Sequence, residues 1–217
     1  MKSEQVATYL QDHPEFFEEY ADLLATIHIP HPHGGRAIPL SERQILTLRG
    51  KGRALEAKLK ELIDFGEKND AIGERLHHLT LALLGARDLD RVLHDLYFGL
   101  RDEFAVPDAA LRLWPAEPSS ERPELGETSQ ELRMFADSLA APYCVDHAMF
   151  DTAAWFGENG VNLQSFAYVP LKAGESIGLL VLGSEDAQRF HPGMGTLYLM
   201  RLGDLLAAAV RRVQPRQ

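Results

Sequence analysis

Cysteine is nearly missing: Cys144 is the only one in 217 residues. A lone thiol excludes an intrachain disulfide and any zinc site that takes two cysteines from one chain, and it fits a reducing, cytoplasmic setting. Basic runs are missing too. The formal charge is −10, and residues 104–176 carry four Lys or Arg against eleven Asp or Glu. Proteins that hold a phosphate backbone present a basic face that displaces counterions, so direct nucleic-acid binding is not expected. No apolar run approaches the ~18 residues of a membrane span, and Met1-Lys2-Ser3-Glu4-Gln5 lacks the charged-then-apolar form of a signal peptide. Neither membrane insertion nor secretion is predicted. A Gly-rich phosphate loop, a zinc signature and a nucleophile elbow are absent as well. No catalytic residue and no metal ligand is therefore assigned, and the cofactor is left unknown.

What is present describes a folded chain. Apolar residues make up 45% and charged residues 25%, an ordinary balance for a globular protein. One core of about 100–150 residues plus an appendage fits this length. The expected organisation is a helical arm over 1–40, a long connecting helix over 41–84 and an α+β domain over 85–217.

In the arm, Ser3 is placed to cap a helix carrying Val6, Tyr9 and Leu10, and Pro14 opens a second with Phe16, Tyr20, Leu23, Leu24 and Ile27 on one face. Ile29 to Gly35, with two prolines and two glycines, stops it. Ser41-Glu42-Arg43-Gln44 reads as a capping box that starts the long helix. Along that helix Leu62, Phe65, Asn69, Ile72, Leu76, Leu79 and Leu83 recur at steps of three and four. The same register reaches back through Leu55 and Leu48, with Lys58 and Lys51 interrupting it. About 33 Å of such a stripe, at ~1.5 Å per residue, suffices for a two-helix seam. Leu62, Phe65, Asn69, Ile72, Leu76 and Leu79 are the expected homodimer seam, and Asn69 is the polar layer that sets register. The alternative is that this stripe packs onto residues 14–28 of the same chain.

Gly85 marks a break, and Asp88 caps a helix whose inner face is Leu89, Leu93, Leu96, Leu100 and Phe104. Residues 109–114 read as a strand, 115–127 with three prolines as a mobile loop outside the core, and 128–139 as a helix behind a Thr128–Glu131 capping box. Residues 142–145 form a short strand, and 150–160 a short helix ending at Asn159-Gly160. The final quarter is the most informative. Strands 165–171 and 177–183 are apolar on both faces, so both faces should be covered. A turn at Lys172 to Glu175 joins them, and a helix from Pro192 carries Leu199, Leu202, Leu206, Ala209 and Val213.

Phe166 to Leu171, Gly178 to Ser184 and Arg189-Phe190-His191-Pro192 together resemble the last two strands and the closing helix of GAF domains. Tyr9-Leu10, His13 to Phe17, Ile29-Pro30-His31, Gly34-Gly35, Glu42-Arg43-Gln44 and Leu111 to Trp114 extend this to most of the chain. They resemble a bacterial family of unassigned function in which a helical arm precedes a GAF-like domain. The resemblance implies a five- or six-stranded antiparallel sheet flanked by helices, dimerisation through the preceding helix and a small-molecule pocket. It implies no reaction. Asn159, Lys172 and Phe190 follow the order of a cyclic-nucleotide constellation, but no Asp-Glu pair follows Phe190 at the needed spacing. Reduction of methionine sulfoxide, another GAF activity, uses paired cysteines, and one thiol cannot resolve its own sulfenic acid.

The candidate pocket residues are Trp114, Tyr143, Cys144, His147, Phe166 and Tyr168, with Phe150, Trp155 and Phe156 in the same aromatic set. The reading is a non-catalytic, cytoplasmic regulatory module that dimerises and takes an unidentified small molecule. Because the last helix closes near residue 213, its signal is expected to pass to a separate output protein. The alternatives are a ligand-free adapter that engages a partner through Phe16, Phe17, Leu23 and Leu24, and a redox-responsive or catalytic protein that uses Cys144 with His147. His28, His31 and His33 read as a polar hinge rather than as metal ligands.

Overall fold

The computed structural model describes residues 2–29, 38–114, 119 and 121–214, arranged in two compact units, Met1–Glu67 and Lys68–Gln217. In the first unit, helices α1 (Ser3–Asp12), α2 (Phe16–Glu19) and α3 (Ala21–Thr26) lead to a two-residue antiparallel pair, β1 (His28–Ile29) with β2 (Ile38–Pro39). Ser3 is the first residue of α1 rather than its cap; the Gln5 side chain accepts the Lys2 N–H at 3.0 Å instead. Helix α4 then runs from Leu40 to Gly85, its last turns belonging to the second unit. The hinge histidines His31 and His33 and the side chains of His28, Leu24 and Ser41 lie outside the described residues.

The second unit is built on a sheet of order β3-β6-β5-β4, every pair antiparallel: β3 (Asp108–Leu113), β4 (Tyr143–Val145), β5 (Ser165–Ala173) and β6 (Glu175–Ser184). Gly174, at φ 98°, makes the reversal between β5 and β6, where a residue without Cβ carries no strain. Among the described residues the sheet has four strands rather than the five or six implied by resemblance. Beside the β3 edge, Pro123–Leu125 forms a short 3₁₀ turn against that strand rather than a further strand. Proline lacks the N–H that a new rung requires.

Both faces of the β5–β6 hairpin are covered, as its sequence demands. On one side Ala167, Val169, Leu171, Leu180 and Leu182 pack with the end of α4, with α5 (Leu89–Asp102) and with α7 (Leu197–Val213). On the other, Phe166, Tyr168, Leu179 and Val181 meet α6 (Gln130–Ser138) and the 3₁₀ segment Phe150–Val161. Asp88 caps α5 by accepting the Arg91 N–H at 2.8 Å. The cap of α6 is Ser129, whose hydroxyl accepts the Leu132 N–H, one residue later than expected. Likewise α7 begins at Leu197 rather than at Pro192.

Helix α7 holds the end of α4 at two levels. The Tyr198 hydroxyl donates to the Asn69 carbonyl at 2.9 Å, and the Arg212 guanidinium donates to the carbonyls of Leu83 and Ala86. The second contact satisfies the Ala86 carbonyl, beyond the end of α4, and adds to the Leu83 carbonyl's long bond from the Ala86 N–H. Gly203 brings α7 onto β5 so closely that a Cβ there would meet Val169 Cγ1 at 2.9 Å and the Pro170 carbonyl at 3.0 Å. The described part of the expected mobile loop is in fact pinned. Arg122 pairs with Asp90 at 2.6 Å, the Tyr97 hydroxyl donates to Glu124 at 3.0 Å, and Leu125 packs on the core. No helix of the described residues is long and apolar enough to cross a membrane.

Candidate functional site

Strand alternation decides which candidate residues share a face. Tyr143 stands opposite Tyr168, Cys144 opposite Ala167 and Val145 opposite Phe166. Phe166 and Tyr168 therefore point towards α6, and Cys144 points the other way, into the cluster shared with the helices. Trp114 joins the Phe166–Tyr168 side, its indole N–H donating to the Ser176 hydroxyl at 3.1 Å while Arg133 sits over its ring. Tyr143 lies edge-on to Phe135 and is 44% exposed. His147 is at the surface, bonded to Asp146 at 2.8 Å. That histidine holds the Asp146 carboxyl below the usual carboxylate range through their hydrogen bond.

The proposed Cys144–His147 couple is not assembled: among the described residues no hydrogen bond joins the two. Burial pushes the Cys144 thiol up, away from the thiolate that redox or nucleophilic chemistry needs.

The cavity beside the sheet lies under α6 and the Phe150–Val161 segment, with a volume of about 320 Å³. Its apolar wall is Leu132, Phe150 and Trp155; Thr128, Ser129 and Thr152 supply hydroxyls; Glu127, Glu131 and Asp151 supply carboxylates. Of the sequence candidates, Phe150 and Trp155 line it directly, whereas Tyr168 supports it from below. The buried Tyr168 phenol receives the Met149 N–H at 2.7 Å and shares a 2.8 Å hydrogen bond with Thr152, whose hydroxyl also donates to the Met149 carbonyl at 2.7 Å. Desolvation raises the phenol's pKa, so it stays protonated and serves as a fixed donor and acceptor. Phe150 holds φ 53°, a left-handed conformation uncommon for a bulky side chain. Arg112 packs over Trp155 at 4.5 Å and braces the opposite side of the wall.

Glu127, Thr128, Ser129, Glu131, Asp151 and Thr152 carried no signal in the sequence beyond a helix start. They converge only because two segments fold onto one sheet face. Asn159, Lys172 and Phe190 do not converge on this cavity. Asn159 donates to Asp108, Lys172 donates to the Asp137 carbonyl, and Phe190 is buried in the helical core.

The expected seam divides in two. Leu76 and Leu79 are buried in the second unit's own core, and Ile72 is half-buried; Leu62 and Phe65 are exposed, as is Asn69. Leu59 supplies an apolar step between Leu55 and Leu62 beside Lys58, and Ile45 precedes Leu48, whereas beside Lys51 the corresponding position is Gly52.

A helical arm before an antiparallel sheet with helices on both faces and a cavity on one of them defines a GAF-like α+β protein. The fold aligns with the GAF domain of a phosphoenolpyruvate-protein phosphotransferase (ptsP) from Coxiella burnetii, with TM-score 0.50 and 16% identity over 65% of this chain and 93% of that one. Residues 1–215 match the family described as "Protein of unknown function, DUF484", and the chain belongs to that family. Among its relatives are the uncharacterized proteins YigA of Salmonella typhimurium and of Escherichia coli. Each is 26% identical over 218 residues, spanning 95% of this chain and 90% of the relative.

Proposed function

We propose that this protein is a non-catalytic sensory or regulatory module that works in the cytoplasm as a homodimer and binds a small molecule in the cavity beneath α6. The observation that carries the reading is the cavity itself. Its volume of about 320 Å³ falls at the lower end of small-molecule sites, and the apolar side chains of Leu132, Phe150 and Trp155 stand beside three hydroxyls and three carboxylates, which suits a small, polar or cationic occupant. A route for a signal also exists. Tyr168 reaches the cavity wall through Thr152, while its neighbours Val169 and Pro170 lie against Gly203 of α7, the helix that holds the end of α4. An occupant that shifts Thr152 thus acts on β5, the strand on which α7 packs directly, and through α7 on a separate output protein.

Binding stabilises a protein only when the ligand prefers the folded state, so the test is a thermal-shift screen of small metabolites read together with Trp155 fluorescence. A hit should raise the melting temperature and change the indole emission, and Trp155→Leu should abolish both. If no compound does so at millimolar concentration, the ligand-binding reading is wrong.

A second reading has one specific observation behind it. Tyr9, Tyr20 and Leu23 of the arm are exposed, as they would be in an adapter that captures another protein through residues 1–40. Deleting those residues removes a partner in that case and leaves small-molecule binding untouched in the first.

A further inference from the structure

The first unit exposes its apolar side chains wherever they are described. Among its described residues not one is buried, whereas Ile45, Leu48, Leu55, Leu59, Leu62 and Phe65 are between 49% and 71% exposed on one side of α4. Scattered apolar surface is normal, but a continuous stripe of this kind marks an interaction surface. Gly52 occupies the layer between Leu48 and Leu55, and a Cβ there would meet nothing within 4 Å. Together these side chains offer roughly 700 Å² per helix, near the ~800 Å² per partner of a standard interface.

We infer that the occupant of this stripe is the same stripe of a second copy, with the two α4 helices running parallel and in register from Ile45 to Phe65. The inference rests on the dimeric reading above and gives it a geometry. Charge favours the direction. With Ile45, Gly52 and Leu59 as one core layer set and Leu48, Leu55 and Leu62 as the other, a parallel pair sets Lys51 of each helix beside Glu56 of its mate, at the five-residue offset of flanking positions. The antiparallel pairing of the same layers brings Lys51 against Lys58 on both sides instead, and this cancels the gain from Arg49 meeting Glu56. The parallel seam also puts like residues together, Leu48 on Leu48 and Leu55 on Leu55.

The full chain is suited to a cysteine test, because its native thiol is buried. Sedimentation velocity of the unmodified protein should show a dimer, and Leu48→Cys should give a disulfide-linked dimer under mild oxidation. In the antiparallel pairing the two positions 48 would lie about 16 Å apart at 1.5 Å per residue, and cross-links would appear only when Leu48→Cys and Leu59→Cys proteins are mixed. Leu55→Lys with Leu62→Lys should weaken the dimer by about a hundredfold, the loss of two buried anchors. Far-UV circular dichroism should confirm that the sheet domain of this variant remains folded. A monomer at micromolar concentration overturns both the dimeric reading and the seam. A dimer that cross-links only in the mixed sample, or that survives both lysines, overturns the parallel seam and leaves the dimeric reading in place.

Discussion

Replacing Tyr168 with phenylalanine removes one oxygen from the middle of the protein and little else. That oxygen receives the Met149 N–H at 2.7 Å and shares a 2.8 Å hydrogen bond with Thr152. Thr152 keeps its bond to the Met149 carbonyl, so the group left stranded is the Met149 N–H. A buried donor without a partner costs ~1–3 kcal/mol. Met149 is half-buried, which lets water answer part of the loss and places the expected cost at about 1–2 kcal/mol. In a chain of this size that corresponds to a drop in melting temperature of about 2–8 °C. Calorimetry of Tyr168→Phe measures it, and amide exchange should show Met149 losing more protection than the β5–β6 backbone. The Phe150–Val161 segment should loosen, and any cavity ligand should bind less tightly. A variant within about 0.5 kcal/mol of the parent, the scatter of ordinary surface changes, would refute the claim that this phenol ties the cavity wall to the sheet.

Gly203→Ala should destabilise the protein by about 1–3 kcal/mol, as overpacking does, even though alanine is the better helix former, because the Pro170 carbonyl cannot retreat. Chemical unfolding gives the sign, and a stabilised variant contradicts the close α7–β5 approach. Arg212→Met should cost about 1 kcal/mol by freeing the Ala86 carbonyl and leaving Leu83 only its long bond from the Ala86 N–H, with exchange rising at the α4 terminus first. Cys144 should react with a thiol reagent only as fast as the domain opens, and denaturant should accelerate it steeply; rapid labelling of native protein would place the thiol elsewhere. Hydrogen bonds from Ser176, with Lys172 nearby, hold the Asp137 carboxyl below the usual aspartate range. Its stabilising contribution is therefore complete above that range and is lost as pH falls through the lowered value. Asp137→Asn should flatten the acid limb of the melting-temperature profile, and an unchanged limb refutes the assignment.

Much of the fold was legible because local rules and tertiary packing agree. The β5–β6 hairpin announced itself through strands apolar on both faces, Asp88 through its place before an amphipathic run, and Gly85 through the end of the long helical pattern. Misplacements were of two kinds. Helix starts slipped by one residue at Ser3 and Thr128, where neighbouring groups compete to cap, and by five at Pro192, where a loop intervenes. The loop ending at Glu127 looked mobile from its prolines, yet Arg122, Glu124 and Leu125 each find a partner far along the chain.

Periodicity by itself determined that residues 62–83 present a largely apolar stripe that reaches back through Leu55 and Leu48, because steps of three and four put side chains on one side of a helix whatever lies beyond it. Which surface meets that stripe is a property of three dimensions. Leu76 and Leu79 face the chain's own sheet, while Leu48, Leu55 and Leu62 face outward. The same division applies to the pocket. The sequence determined that aromatic and hydroxyl side chains exist near residues 128 and 150. Only the register of β4 on β5 and the folding of two separate segments over one sheet face decided that Thr152, Trp155 and Glu131 share a cavity and that Cys144 does not, since burial and distance are set by partners remote along the chain.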